Sequence, residues 1–434
     1  MSPVPVLLTH DPNVLPLRKG TRLSAGLAAP KSTVTPHPHS RALARLCALV
    51  RAHWSRAQPE FEQPAGRGIT VTPSPPVDVA LAMLTLVPGE MGGSETYARA
   101  LTRELAGSAE ATVTAYVSAI GAGFSEGVPE RVVAGIGGGA STRSRVTTLV
   151  QGAAHGRSIR ASWADAAVVH YPFTAPVPRP AASTPVAVTL LDVQHLDLPD
   201  LFGRAERAYR RRFYDGAARR ADVVVTISQF AKSRIVAMLG IAPERIAVAP
   251  LGVDTTEFEL NLGPRANVLL YPARGWPHKN HARLFEAFSL LRAEDPTLQL
   301  VLTGGGLDAL GAVPEGVDVR GLVGRGELRE LYRTAGALVF PSLYEGFGLP
   351  PLEAMASGCP VAASRAGALP EICGDAAILF DADDPASIAA GVREALASGD
   401  DVRERALARA RSFTWAACAA AHERAYRLAE RSRR

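Results

Sequence analysis

The chain lacks the usual marks of metal, disulfide and membrane-spanning proteins. Its four cysteines, Cys47, Cys359, Cys373 and Cys418, form no CxxC pair and have no histidine cluster beside them. Neither a zinc site nor a disulfide scaffold is expected, and free thiols in a reducing compartment are. No apolar run reaches the ~20 residues needed to cross a bilayer. The start, MSPVPVLLTHDP, has no basic stretch followed by a sustained apolar core, so it does not read as a secretion signal. A cytoplasmic protein is expected. No recognised nucleic-acid module accompanies the basic residues, which argues against nucleic acid as a partner.

What is present is a chain of 434 residues, 47% hydrophobic, with a formal charge of +5 carried mostly by arginine. That length exceeds what one hydrophobic core usually organises, so two domains are expected. The small positive excess suits an anionic partner such as a nucleotide or a phospholipid surface.

Residues 1–75 are rich in Pro, Arg, Ser and Thr, and read as a leader without packing periodicity. Within them SRALARLCALVRAHW (40–54) has helical amphipathic spacing that a membrane surface or the main body could take up. From Val77 a buried strand (DVALAMLTL), a glycine-bearing loop (VPGEMGGSE) and a helix (TYARALTREL) form an opening βα unit. Strands ATVTAYVS, AAVVHYPF, PVAVTLLDV and ADVVVTIS follow. PERIAVAPLGVDTTEF then reads as an interdomain linker. A second alternation of strands and helices starts at NVLLYPA, and a last helix starts near Thr414. The expected architecture is α/β with two Rossmann-like parallel-sheet domains facing a cleft. They span 76–263 and 264–412, and a C-terminal helix, 413–434, crosses back to the first. Ligands in such sheets bind at the carboxyl ends of strands.

The sharpest motif is EGFGLPPLE, from Glu345 to Glu353, two carboxylates eight positions apart. Gly346 and Gly348 permit an unusual backbone, Pro350 or Pro351 suits a first helical turn, and Glu353 then rides on the helix. Free N–H groups at that helix start would face a diphosphate. Arg274 and Lys279 lie on the loop after the first strand of the second half. Two fixed cations there would stabilise the charge left by a departing nucleoside diphosphate. Asn280 and His281 read as caps of the next helix. His195 follows strand PVAVTLLDV and should project at the ligand edge, with His170 a weaker candidate and Asp192 orienting the Gln194–His195 loop. Gly304, Gly305 and Gly306 end strand LQLVLT, whereas GIGGGA (135–140) opens no strand–helix unit and reads as a loop. The arginine-dense stretch Arg204–Arg220 reads as a polybasic helix, compatible with peripheral contact to anionic lipid.

These motifs together resemble the family-4 retaining glycosyltransferases of GT-B fold, over roughly Val77 to Tyr426. Glu345-Gly346-Phe347-Gly348-Leu349 through Glu353 resembles their paired-glutamate signature. Gly92-Gly93 resembles the N-terminal glycine loop, and Ser228 in TISQFAKSRI a serine-and-basic stretch. APLGVDTTEF resembles the hinge, with Leu251 where Asn is commoner, and YPARGWPHKN the basic donor loop. The resemblance implies a hexose transferred from a nucleotide sugar, GDP- or UDP-linked, to a glycan, lipid-linked or small-molecule acceptor. Mannose is the favoured hexose and polysaccharide assembly the favoured setting. It implies that the N-terminal domain, 76–263, takes the acceptor and the C-terminal domain, 264–412, the nucleotide-sugar donor, that Glu345 holds donor-sugar hydroxyls and Glu353 the ribose, and that Arg274 and Lys279 hold the diphosphate. It also implies that His195 touches the reaction centre, with Gly304, Gly305 and the Arg320–Val323 strand end beside the nucleotide. No metal or other cofactor is expected, since no DxD-like pair stands out. A nucleotide-sugar epimerase or a catalytically silent scaffold of the same fold are the alternatives.

Overall fold

The computed structural model describes residues 75–137 and 142–433. The leader up to residue 74, the 40–54 segment within it and the second half of the GIGGGA loop (138–140) lie outside those residues.

Seven strands make the first sheet: β1 Val77–Met83, β2 Ala111–Ser118, β3 Glu130–Val133, β4 Val168–Tyr171, β5 Val186–Thr189, β6 Val223–Thr226 and β7 Ile246–Val248. Their order is β3-β2-β1-β4-β5-β6-β7, and every pairing is parallel. Side chains alternate along β1 between two cores. Val79, Leu81 and Met83 enter one, and Ala80 and Ala82 the other. A strand covered on both faces needs this continuous apolar run.

Six strands make the second sheet: β8 Ala266–Pro272, β9 Gln299–Thr303, β10 Val317–Gly321, β11 Ala335–Phe340, β12 Val361–Ser364 and β13 Ile378–Phe380. The order β10-β9-β8-β11-β12-β13 is again all parallel. Both sheets reverse direction of winding at their middle, between β1 and β4 and between β8 and β11. Crevices open at such points.

The helix Trp415–Arg431, capped by Thr414, packs against helix Gly93–Leu105 and the first sheet. Its arrival is tight. A side chain on Gly252 would begin 2.2 Å from the Trp415 nitrogen, so the hinge accepts only glycine there. Tyr97 donates or accepts at 2.7 Å with His422, and His170 bonds Tyr426 at 3.0 Å and Thr189 at 2.8 Å, all buried. His170 is therefore part of this seam and not a ligand-edge residue.

Three readings need correction. The linker PERIAVAPLGVDTTEF contains β7, a three-residue edge strand too short to show alternation. Residues 399–413, assigned no element above, hold helix Asp400–Arg411. Only Ala406 and Ala410 of it are buried, so its sequence has no visible apolar stripe. Arg204–Arg220 is not one helix. A π-helical turn, Arg211–Asp215, separates helices Arg204–Arg210 and Gly216–Arg220. Cys359, Cys373 and Cys418 are buried free thiols, which burial pushes up to about 11, 12 and 12.

Candidate active site

A cavity of about 650 Å³ lies where the carboxyl ends of β1 and β4 meet those of β8 and β11. Its C-terminal wall carries Arg274, Lys279, Glu345 and Glu353, brought together from two strand-end loops and one helix. Lys279 Nζ lies 2.6 Å from Glu345 Oε1, and both side chains are nearly buried. Phe340 lies under the ammonium at 5.5 Å. Arg274 stacks on Trp276 at 5.3 Å. Its guanidinium also reaches to 3.7 Å from where a side chain on Gly92 would begin, so Gly92 and Gly93 form the opposite lip.

The Glu345 loop is set by main-chain packing. Gly367, at φ +62, passes so close that a side chain there would begin 2.4 Å from the Glu345 carbonyl oxygen. Ala368 N–H donates to that oxygen at 2.9 Å. Gly348, at φ +113, turns the chain into helix Leu349–Ala356. The expected row of free N–H groups is shorter than supposed. Pro350 and Pro351 have none, so among the first three helical positions only Leu349 offers a donor. Glu353 points back from this helix and accepts the Tyr332 hydroxyl at 2.7 Å. Burial raises its carboxyl, while Tyr332, Arg325 and Arg329 draw it down.

Ser228 ties the walls together. Its hydroxyl donates to the Gly346 carbonyl at 2.7 Å and accepts from Ala231 N–H at 3.0 Å. Glu371 receives the N–H groups of Gln229 and Phe230 at 2.8 and 2.9 Å, and Tyr344 donates to Asp197 at 3.0 Å.

Not all expected residues meet the cavity. His195 does not. It sits in the short helix Gln194–Asp197, fully buried, with Nε2 at 2.9 Å from Asp215 Oδ1. The strand ends at Thr189, and the chain turns so that Leu191 and Asp192 face the cavity instead. Asp192 orients its loop as expected, accepting Gln194 N–H at 3.0 Å. Burial raises its carboxyl, and Glu345 adds repulsion. Gly304 and Gly305 lie beneath the Arg274 loop and not on the cavity surface. Gly304 N–H donates to Gly321, and Gly305 accepts Gly275 N–H at 3.1 Å. Beside them Leu322 is 80% exposed. Asn280 occupies the cap position in a left-handed conformation, yet its side chain caps nothing. Its amide donates to the carbonyls of Pro341 and Ala382 instead. Asp381-Ala382-Asp383 does have DxD spacing, so such a pair is present after all. It lies away from the cavity, with Asp381 accepting Asp383 N–H in a local turn.

Residues missed from the sequence are Tyr209, Arg210 and Tyr214, which line the N-terminal wall. The arginine density around them was the only signal, and it pointed to a surface helix.

Residues 253–413 match the family model for glycosyl transferases group 1, and residues 91–257 that for glycosyltransferase family 4. The chain is 29% identical over 275 residues to the O-antigen chain mannosyltransferase B of Escherichia coli, covering 55% of this chain and 69% of the relative. It is 36% identical over 221 residues to the MMP alpha-(1->4)-mannosyltransferase of Mycolicibacterium hassiacum, covering 47% and 53%. It is 34% identical over 232 residues to the D-inositol 3-phosphate glycosyltransferase of Corynebacterium efficiens, covering 46% and 54%. The chain thus spans about half the length of the last two. The sucrose-phosphate synthase of Thermosynechococcus elongatus has a similar structure, with TM-score 0.65 and 20% identity over 81% of this chain and 98% of that one. HepE of Anabaena, solved with UDP and glucose, gives 0.58 and 16% over 79% and 97%. With two facing parallel sheets and two family matches that run from 91 to 413, the chain belongs to the group 1, family-4 glycosyltransferases and has the GT-B fold.

Proposed function

We propose that this glycosyltransferase moves a hexose, mannose or a close relative, from a nucleotide sugar to a glycan or small-molecule acceptor with retention of configuration. The observation that carries the reading is the gathering of Arg274, Lys279, Glu345 and Glu353 on one wall of one cavity. Arg274 and Lys279 would neutralise the diphosphate, Glu353 accept the ribose hydroxyls, and Glu345 hold the transferred sugar. Lys279 and Glu345 satisfy each other across the cavity wall. A donor would enter between them, its phosphate replacing the carboxylate on Lys279 and its hydroxyls replacing the ammonium on Glu345. The leaving phosphate would accept the acceptor's proton as the front-face attack proceeds, so no carboxylate acts as a covalent nucleophile. The sugar preference follows the mannosyltransferases among the relatives.

Reaction without a resident metal is part of the proposal. Arg274 and Lys279 would supply beside the diphosphate the positive charge that a metal ion otherwise brings. Among the described residues no three His, Cys, Asp or Glu side chains gather as a metal site. Turnover of GDP-mannose or UDP-glucose should survive excess EDTA, and loss of activity restored by Mn²⁺ would refute metal independence. Incubating donor alone separates transfer from epimerisation: an epimerised nucleotide sugar would overturn the transferase reading.

A further inference from the structure

The residues on either side of Glu345 are tied to the first domain. Tyr344, before it, is buried and donates its hydroxyl to Asp197 Oδ2 at 3.0 Å. Gly346, after it, accepts the Ser228 hydroxyl at 2.7 Å. A side chain on Gly346 would begin 3.3 Å from Asp192 Cβ and from the Leu191 carbonyl oxygen, so the first domain presses on the loop there. Asp197 is itself held on three sides. It ends the short helix Gln194–Asp197, whose first N–H bonds Asp192 and whose middle is fixed by the buried His195–Asp215 contact. Arg234, on helix Gln229–Leu239, places Nε 3.1 Å from both Asp197 oxygens and bonds Oδ1 through Nη2 as well. The Asp197 side chain is 1% exposed, so its charge is matched by Arg234 and not by water. Such a buried pair is a weak stabiliser compared with apolar packing. Contact with a planar guanidinium at two points does fix the carboxylate's direction. That direction points Oδ2 at Tyr344, whose ring stands edge to face on Phe230 at 5.5 Å and 68°.

We propose that Asp197 and Tyr344 are positioning residues for Glu345, so that the first domain sets the carboxylate that the second domain carries. The proposal rests on the transferase reading above, in which Glu345 holds the donor sugar. Tyr344, Asp197, Arg234 and Phe230 are all absent from the cavity lining, so any effect they have on a bound donor acts through the loop between them. Held at Tyr344 and Gly346, the loop presents Glu345 in one place. Released at Tyr344, the carboxylate keeps its charge and its Lys279 partner but loses its register. A group displaced by about 1 Å from its partner can lose up to roughly a hundredfold in rate. The groups assigned to the diphosphate and the ribose, Arg274, Lys279 and Glu353, have no bond to Tyr344 or Asp197 and would keep their places.

Calorimetry on the full chain, with GDP against GDP-mannose and UDP against UDP-glucose, tests this. Tyr344→Phe removes the hydroxyl and keeps the ring on Phe230. It should weaken the bound sugar nucleotide fivefold or more and leave the matching free nucleotide within twofold. Asp197→Asn, which keeps the shape and removes the charge that Arg234 clamps, should act in the same direction. A cycle with Glu345→Gln separates positioning from mere structure. Added to Glu345→Gln, Tyr344→Phe should change sugar-nucleotide affinity by less than twofold, whereas a merely structural role would weaken it equally in either background. Equal factors in both backgrounds, a matching loss of free nucleotide, or unchanged sugar-nucleotide affinity in Tyr344→Phe each overturn the proposal. Hydrogen exchange without nucleotide gives a second readout. Residues 343–348 should exchange faster in Tyr344→Phe while helix Leu349–Ala356 keeps its protection, and an unchanged loop overturns the proposal. If the wild-type chain binds neither sugar nucleotide, the transferase reading fails first. Exchange then still decides whether the first domain holds the loop, so the two failures are told apart.

Discussion

The two walls of the cleft are built by different means. On the C-terminal wall, backbone packs on backbone. Gly367 presses on the Glu345 main chain, Gly304 on Ala273, and Gly275 on Gly306, each closer than a side chain would allow. On the N-terminal wall, side chains from short helices and a π turn make the surface. A wall of interlocked main chain holds charged groups at fixed positions, as charge stabilisation requires. A wall of side chains can change its ligand without moving the fold. The comparison predicts that small changes on the first wall abolish turnover, whereas equally small changes on the second alter only what is bound.

The largest effect is expected at Glu345. Glu345→Gln keeps the shape and removes the charge that, in the proposed reaction, would face the transferred sugar. It should cut kcat roughly a hundredfold or more while leaving free nucleotide affinity within about twofold. Equal loss of nucleotide binding would mean that the two glutamates have exchanged roles. Gly367→Ala comes next. Its methyl would push the Glu345 loop, and a displacement of about 1 Å at a reacting group costs up to roughly a hundredfold in rate. Normal kinetics in this variant would break the contrast between the walls. Glu353→Gln should weaken donor and free nucleotide alike, by about ten- to a hundredfold, because a charge-assisted bond is worth roughly 1.5–3 kcal/mol. Isothermal calorimetry reads this directly.

Acid should loosen both walls together. His278 and His281 stand behind the C-terminal wall and His422 behind the N-terminal one. Burial lowers all three from 6.5 to about 4. Between those values the unfolded chain binds more protons than the folded one, so stability is lost as pH falls through that window. Scanning calorimetry should show the unfolding midpoint declining from about pH 6.5 toward pH 4; an unchanged midpoint would contradict the buried neutral histidines. The smallest effect is expected at Ser228, which bridges the walls. Ser228→Ala removes a helix cap and the Gly346 contact, and should cost about 1 kcal/mol, or a few degrees in Tm. A loss confined to stability, with nucleotide affinity intact, would mark the bridge as structural.

Much of the cavity's C-terminal wall was legible because its signals are local. The seven residues between the carboxylates, two glycines and two prolines among them, dictate a turn into a helix, and Glu353 must then ride on it. Arg274 and Lys279 follow β8 within one short loop, so their placement needs only the strand end. His195 was misplaced because direction after a strand end depends on the path of the loop. That path is set by Asp215, twenty residues later. Tyr209 and Tyr214 were missed because a π turn has no compositional signature, and an α-helical reading of the arginines puts them elsewhere. Helix Asp400–Arg411 escaped because alanine alone makes its buried face.

The amino-acid sequence by itself determined two parallel α/β halves, the family, and the glycine-and-proline turn that carries Glu345 and Glu353. Each of these depends on short-range periodicity and on glycine and proline geometry, which act within a few residues. Tertiary structure alone decided which side chains face the C-terminal wall across the cavity, how Gly367 confines Glu345, and how the last helix seals the first sheet through His422 and Tyr426. Those contacts join residues tens to hundreds of positions apart, and their geometry exists only once both sheets have packed.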